Sequence, residues 1–155
     1  MALKGKGYYI WRIPWTDSGN LDTIIRLAQE ANLGHVLIKI ADGDDDYNRD
    51  PNTGADLVPP LLDRFNQAGI TVWGWQYVYG RDAAAEADKA IQRVHSLGLE
   101  GFVVNAEKEF KFPNMDQVAE AYMTRLRQGL GEIPVALSSY RFPLSHREFP
   151  FDVFL

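Results

Sequence analysis

The sequence predicts an α/β chain of the (β/α) TIM-barrel type, incomplete, with about five to six βα units of the eight in a full barrel. Three observations predict it. Apolar strand-like runs recur at roughly 30-residue intervals, the spacing of βα units. The stretches between them carry apolar residues at the helical period. A glycine stands between each helix-like stretch and the next strand-like run.

The first strand-like run covers residues 7–13, the second 35–41, the third 70–78, the fourth 101–106 and the fifth 133–138. Residues 21–31 place Leu21, Ile24, Ile25, Leu27 and Ala28 on one helix face. Residues 57–68 do so with Leu61, Leu62 and Phe65, and residues 83–97 with Ala87, Ala90, Ile91 and Val94. Residues 115–130 carry Val118, Ala119, Tyr122 and Leu126. Asn20 or Ser18, Asp82 and Asn114 are candidate N-caps. Gly34, Gly69, Gly98 and Gly131 stand where helix C-terminal glycines belong. A possible sixth strand begins at Phe151.

Successive βα units imply parallel strands joined by right-handed crossovers. An open doubly wound sheet and an eight-fold barrel compete. No G-x-G-x-x-G or P-loop follows the first strand, which removes support for a nucleotide-binding open sheet. Polar residues within the strands, such as Arg12, Lys39, Gln76 and Asn105, suit the C-terminal mouth of a barrel. A complete barrel takes about 250 residues, and this chain has 155. The expectation is a single domain, residues 1–155, forming the N-terminal part of a barrel. Its open edge would be completed by further chain or by self-association.

Composition excludes several classes. With 46% hydrophobic and 24% charged residues the chain is neither disordered nor fibrous. The net charge is −5, and the 16 Lys and Arg are dispersed, which argues against nucleic-acid binding. No apolar run reaches the ~18 residues of a membrane span. No signal-peptide pattern is read, and the compartment stays open. There is no cysteine, so disulfides and thiolate metal sites are excluded. His35, His95 and His146 lack zinc spacing, and the run from Asp42 to Asp46 lacks the EF-hand pattern and reads as a solvated acidic loop. Neither metal nor cofactor is expected.

In parallel α/β folds the active site forms at the C-terminal ends of the strands. Those ends carry Trp11, Arg12 and Trp15; Lys39 and Asp42; Gln76, Tyr77 and Tyr79; Asn105, Glu107 and Glu109; and Ser138, Ser139, Tyr140 and Arg141. Aromatic faces stack on sugar rings, while amides, guanidinium groups and carboxylates bond to hydroxyls. Glycoside cleavage needs a carboxylic acid that protonates the leaving oxygen, usually beside a second carboxylate. Glu107 is the candidate acid. Asn105, Asp42, Gln76, Tyr77, Lys39, Glu109, Arg12 and Tyr140 are candidate substrate-binding residues. Lys39 shares a strand face with Leu37 and Ala41. If that face is interior, Asp42, Asn105 or Glu107 must pair the amine. Along strand three, Val72, Gly74 and Gln76 are expected inside the barrel and Trp73 and Trp75 against the helices. Ser138-Ser139 lacks a G-x-S-x-G context, and His146 is read as a surface residue.

Several segments resemble glycoside hydrolase family 25 muramidases. Leu37-Ile38-Lys39-Ile40-Ala41-Asp42-Gly43 looks like the family's I-K-A-T-E-G segment after strand two. Residues 76–87 resemble its third unit, with an aromatic strand end followed by a helix opening on Asp82-Ala83-Ala84-Ala85-Glu86-Ala87. Asn105-Ala106-Glu107 stands where the family has D-x-E. The resemblance implies a β/α barrel that cleaves the β-1,4 glycan of bacterial peptidoglycan without a metal. It makes Glu107 the catalytic acid and Asp42 the acidic residue after strand two. Two positions depart from the pattern. Asn105 replaces the first carboxylate of D-x-E, and Tyr9 stands where the family's G-x-D has its aspartate. A further family carboxylate lies beyond strand five.

Three functions follow in order. The first is a retaining or substrate-assisted glycosidase acting on a polysaccharide such as an amino-sugar glycan. The second is a non-catalytic carbohydrate-binding barrel. The third is an unrelated barrel enzyme using Lys39.

Overall fold

The computed structural model describes residues 3–155. Six strands and five α-helices follow one another. They are β1 (Lys6–Ile10), α1 (Leu21–Glu30), β2 (Leu33–Asp42), β3 (Asp45–Asp46), α2 (Val58–Gln67), β4 (Thr71–Val78), α3 (Ala83–Leu97), β5 (Phe102–Ala106), α4 (Met115–Leu130), β6 (Val135–Ser138) and α5 (Phe151–Phe154). The five long strands run parallel in the order β1-β2-β4-β5-β6, which is their order in the chain. β3 only folds back antiparallel on the end of β2. The sheet curls into a half-barrel, so the fold is α/β with an incomplete parallel barrel. β1 pairs with β2 alone and β6 with β5 alone, leaving an open edge on each among the described residues.

Strand alternation divides the core in two. Val36, Ile38 and Ile40 of β2, Val72 and Val78 of β4, and Phe102 and Val104 of β5 face the helices and pack with Ile24, Leu61, Phe65, Val94, Tyr122 and Leu126. Leu37, Trp73, Trp75 and Val103 form a second cluster on the helix-free concave side. This corrects the orientation expected for β4: the indoles lie inside and the small residues lie under the helices. Room decides it. A Cβ on Gly74 would lie 2.6 Å from Ile40 Cδ1 and 2.8 Å from Leu99 Cδ1, so only glycine fits beneath that layer. On the concave side, Gly101 makes the space that the Trp73 ring fills; a Cβ there would lie 2.0 Å from Trp73 Cε2.

Gln76 is fully buried on the helix side rather than at the mouth. Its amide donates to Gly43 O (2.7 Å) and Glu86 O (2.8 Å) and accepts from Tyr122 Oη (2.7 Å). A buried amide with all these bonds made is a core tie, so the expectation that it meets substrate is corrected. Glu86, also buried, accepts the backbone N–H groups of Tyr79, Gly80 and Arg81 and so fixes the loop after β4. Buried Arg93 holds Asp56 through both terminal nitrogens, at 2.6 and 3.2 Å.

The caps follow the sequence in part. Asn20 and Asp82 accept from Thr23 N and Ala85 N, both at 3.0 Å. Asn114 occupies the N-cap of α4 without a side-chain bond. Gly98 ends α3 in the left-handed region at φ 62°. Gly34 does not end α1: Asn32 takes the positive φ, and Gly34 lies inside β2, where a side chain would meet Lys4 O at 2.4 Å. The expected sixth strand at Phe151 is a short helix. Its Phe154 packs edge-on against Phe110 at 5.1 Å, and Phe149 stacks on Phe154 at 5.4 Å. Pro150 before it leaves no N–H for a strand ladder.

Candidate functional site

Because the long strands are parallel, their C-terminal ends collect at one end of the half-barrel. β2 delivers Lys39 and Asp42 there. The β2–β4 register shifts between Lys39 and Ala41, and past that irregularity Asp42 lies against Lys39. Lys39 is only 3% exposed, with its Nζ 2.9 Å from Asp42 Oδ1. Four rings surround the ammonium: Tyr47 at 4.2 Å, Trp75 at 5.0 Å, Trp11 at 5.6 Å and Tyr77 at 6.0 Å from the centroids. A carboxylate and aromatic faces together replace the water a buried ammonium loses. Of the three partners expected for Lys39, Asp42 is the one it takes.

Tyr79 Oη also donates to Asp42 Oδ1 (3.2 Å), and Tyr77 Oη donates to Glu109 Oε2 (2.9 Å). The two phenols are neighbours, with ring centroids 4.8 Å apart. Burial, then the bond to Glu109 and the charges of Glu109 and Glu107, push the Tyr77 phenol well above its usual range. Burial and Asp42 raise Tyr79 in the same way. Both phenols therefore stay protonated donors throughout the neutral range.

Glu107 follows β5 directly and is half-buried. Its backbone carbonyl accepts from Phe110 N and opens the turn Lys108–Lys111. Its carboxylate makes no hydrogen bond or ion pair among the described residues, and its charge is felt at Tyr77. Arg12 and Lys39, the cations that would have tied it down, are held by other partners. Asn105 lies two residues earlier, in register with Tyr77 on β4 and Ser138 on β6.

The arrangement thus brings Lys39, Asp42, Tyr77 and Glu109 together, with Glu107 and Asn105 beside them. Arg12 lies apart on the β1 side, its Nε donating to Tyr47 Oη (2.9 Å) and its guanidinium 4.1 Å from the Trp15 ring. Tyr140 lies elsewhere. It stacks on His146 (4.0 Å), lies under Lys111 Nζ (4.0 Å) and meets Phe149 edge-on (5.9 Å), so it belongs to the packing around α5. His146 is half-buried in this cluster, with Nδ1 2.6 Å from Lys111 Nζ, rather than a free surface residue.

Sequence reasoning missed Tyr47 and Asn48. Asn48 is buried with positive φ. Its Oδ1 accepts from Ile13 N (2.9 Å) and its Nδ2 donates to Trp11 O (3.1 Å) and Lys39 O (2.9 Å). It fastens the loop after β1 to β2. An asparagine between an acidic run and a Pro-Asn-Thr-Gly turn carries no signal of that role. The acidic run is a hairpin that is solvated only at its tip: Asp44 and Asp45 are exposed, while Asp42 is held by Lys39 and Asp46 by Lys89 (3.0 Å) and Arg49. Among the described residues, no group of three or more His, Asp or Glu is placed to hold a metal ion. Among the described residues, no helix is long and apolar enough to cross a membrane.

The class the fold defines is an α/β protein with a parallel sheet curled into a β/α half-barrel. No family model and no curated protein matches the sequence. Among solved structures the chain is similar to the modular Cpl-1 endolysin, in a crystal structure with a tetrasaccharide-pentapeptide peptidoglycan analogue. The TM-score is 0.57 at 15% identity, over 93% of this chain and 39% of that one. The chain therefore spans well under half the length of that endolysin, with which it shares a fold.

Proposed function

We propose that the chain is a glycoside hydrolase-like domain acting on a polysaccharide, with an amino-sugar glycan such as peptidoglycan as the favoured class. The observation that carries the reading is Glu107: an unpaired, half-buried carboxylate at a strand C-terminus, beside protonated Tyr77 and an aromatic concave face. Glu107 is the general acid in this reading. Asn105 orients a substrate amide, and Lys39, Asp42, Tyr77 and Glu109 line the mouth. The likeness to an endolysin that binds a peptidoglycan analogue supports it.

A mechanism with two free carboxylates is not what the mouth offers. Asp42 is held by Lys39 and Tyr79, and Glu109 by Tyr77. Asn105 has no ionisable group. In a one-carboxylate route Glu107 protonates the leaving oxygen, and the substrate's own acetamido group supports the developing cation. Reducing-end release from peptidoglycan, chitin and plant glycans tests this, with Glu107→Gln as control. Release that depends on Glu107 supports the reading; equal release by the variant ends it.

The same scarcity of free carboxylates favours a second reading, a carbohydrate-binding barrel without turnover. It predicts glycan binding with no new reducing ends. No binding at millimolar oligosaccharide would remove it.

A further inference from the structure

A groove of about 390 Å³ opens between the loop after β1 and the hairpin after β2, with Tyr47 shared between its wall and the Lys39 cage. Its walls include Arg12, Trp15, Asp46, Tyr47, Arg49 and Pro51, with the Asp46 carboxylate neutralised by Arg49 and Lys89. Two of its features are unusual for an ordinary surface. Trp15 is 70% exposed. A large apolar ring left in water is costly unless something covers it. The second feature is charge. Arg49 is committed to Asp46 and lies 3.7 Å from Asp56. Arg12 has no carboxylate partner among the described residues. Its Nε is used by Tyr47, and its two terminal nitrogens are open beside the Trp15 ring.

The groove is also pre-organised. Buried Asn48 ties Ile13 N, Trp11 O and Lys39 O to one side chain, which sets the β1 loop against the hairpin. Tyr47 is positioned on both sides, by Arg12 and by Lys39. Rigid aromatic walls lower the ordering cost of binding.

We propose that this groove is a subsite for a carboxylate-bearing glycan unit, with a sugar ring on Trp15 and its carboxylate on the terminal nitrogens of Arg12. The guanidinium fork matches a carboxylate in a way that an ammonium does not. In a chain of net charge −5 an unpaired arginine is selective for the anion rather than part of a general basic surface. The inference rests on the carbohydrate reading above and adds the charge of the ligand. A ring carboxylate (a hexuronate) and a peptide-stem carboxylate on a muropeptide offer the same chemistry.

Calorimetric titration of the whole chain with three soluble ligands tests it: a hexuronate oligosaccharide, a muropeptide and a neutral N-acetylglucosamine oligomer. At least one acidic ligand is expected to bind about tenfold more tightly than the neutral one, the worth of a charge-assisted bond. Whichever acidic ligand binds more tightly identifies the source of the carboxylate. The preference falls with added salt. Arg12→Gln removes the preference, Arg12→Lys restores part of it, and Trp15→Ala weakens all binding. Far-UV circular dichroism confirms that the variants are folded. Equal affinity for neutral and acidic ligands, or a preference unchanged in Arg12→Gln, overturns the subsite and leaves the carbohydrate reading standing. No binding of any of the three overturns both.

Discussion

Separating Lys39 from Asp42 tests how the mouth is held together, and the two ways of doing so are not equivalent. Asp42→Asn leaves a 3%-exposed ammonium without its counter-charge. Lys39→Met leaves a carboxylate whose side chain is 29% exposed and which keeps the Tyr79 bond. Breaking a buried pair by removing one partner costs about 3–5 kcal/mol. The surrounding rings return about 1–2 kcal/mol to the stranded ammonium, so Asp42→Asn is expected to cost about 2–3 kcal/mol. Lys39→Met replaces the stem by an apolar chain of similar volume, and water reaches Asp42, so about 1 kcal/mol is expected. The double variant should cost less than the sum of the two. Urea unfolding measures this directly. With a slope of about 2 kcal/mol/M, Asp42→Asn lowers the midpoint by about 1 M and Lys39→Met by about half as much. Equal losses, a larger loss for Lys39→Met, or strict additivity would refute the ion pair as the organising contact.

Three other predictions follow from the packing and the buried phenols. Tyr77, Tyr79 and Tyr122 all have raised folded-state values, so each stabilises the fold fully below the unfolded value of about pH 10 and loses that contribution as pH climbs through the folded one. The thermal midpoint should therefore fall as pH rises above about 10, less steeply in Tyr77→Phe; an identical slope would contradict the assignment. Asn48→Ala removes three bonds to backbone groups and should cost about 2–4 kcal/mol by chemical unfolding. Gly101→Ala pushes a methyl into the Trp73 ring and should cost about 1–3 kcal/mol, with a smaller loss in a Trp73→Phe background.

The order of elements was legible because period and punctuation agree. Helical spacing in α1 to α4, capping by Asn20 and Asp82, and the left-handed Gly98 are all local chemistry. What was illegible depends on partners far along the chain. Which face of β4 points inward is decided by Gly101 and Leu99, not by β4 itself. Gln76 reads as a mouth amide until Gly43, Glu86 and Tyr122 are seen to take its bonds. Phe151 reads as a strand because an aromatic run has the same composition in either state; contacts with Phe110 and α4 decide for a helix. Strand-end position put Lys39, Asp42, Tyr77 and Glu107 at the candidate mouth, the end of the half-barrel where the parallel strands also bring them. Tyr47 and Asn48 were missed because a loop's role lies in its long-range bonds.

The central claim is that Glu107 acts as a proton donor to a glycosidic oxygen. The most direct test is the rate of reducing-end formation by Glu107→Gln against the unaltered chain, on whichever glycan the unaltered chain cleaves. Loss of a general acid predicts a fall in kcat of about 10²–10⁴-fold with an unchanged unfolding midpoint. Turnover at the unaltered rate, or no turnover of any glycan by the unaltered chain, would contradict it.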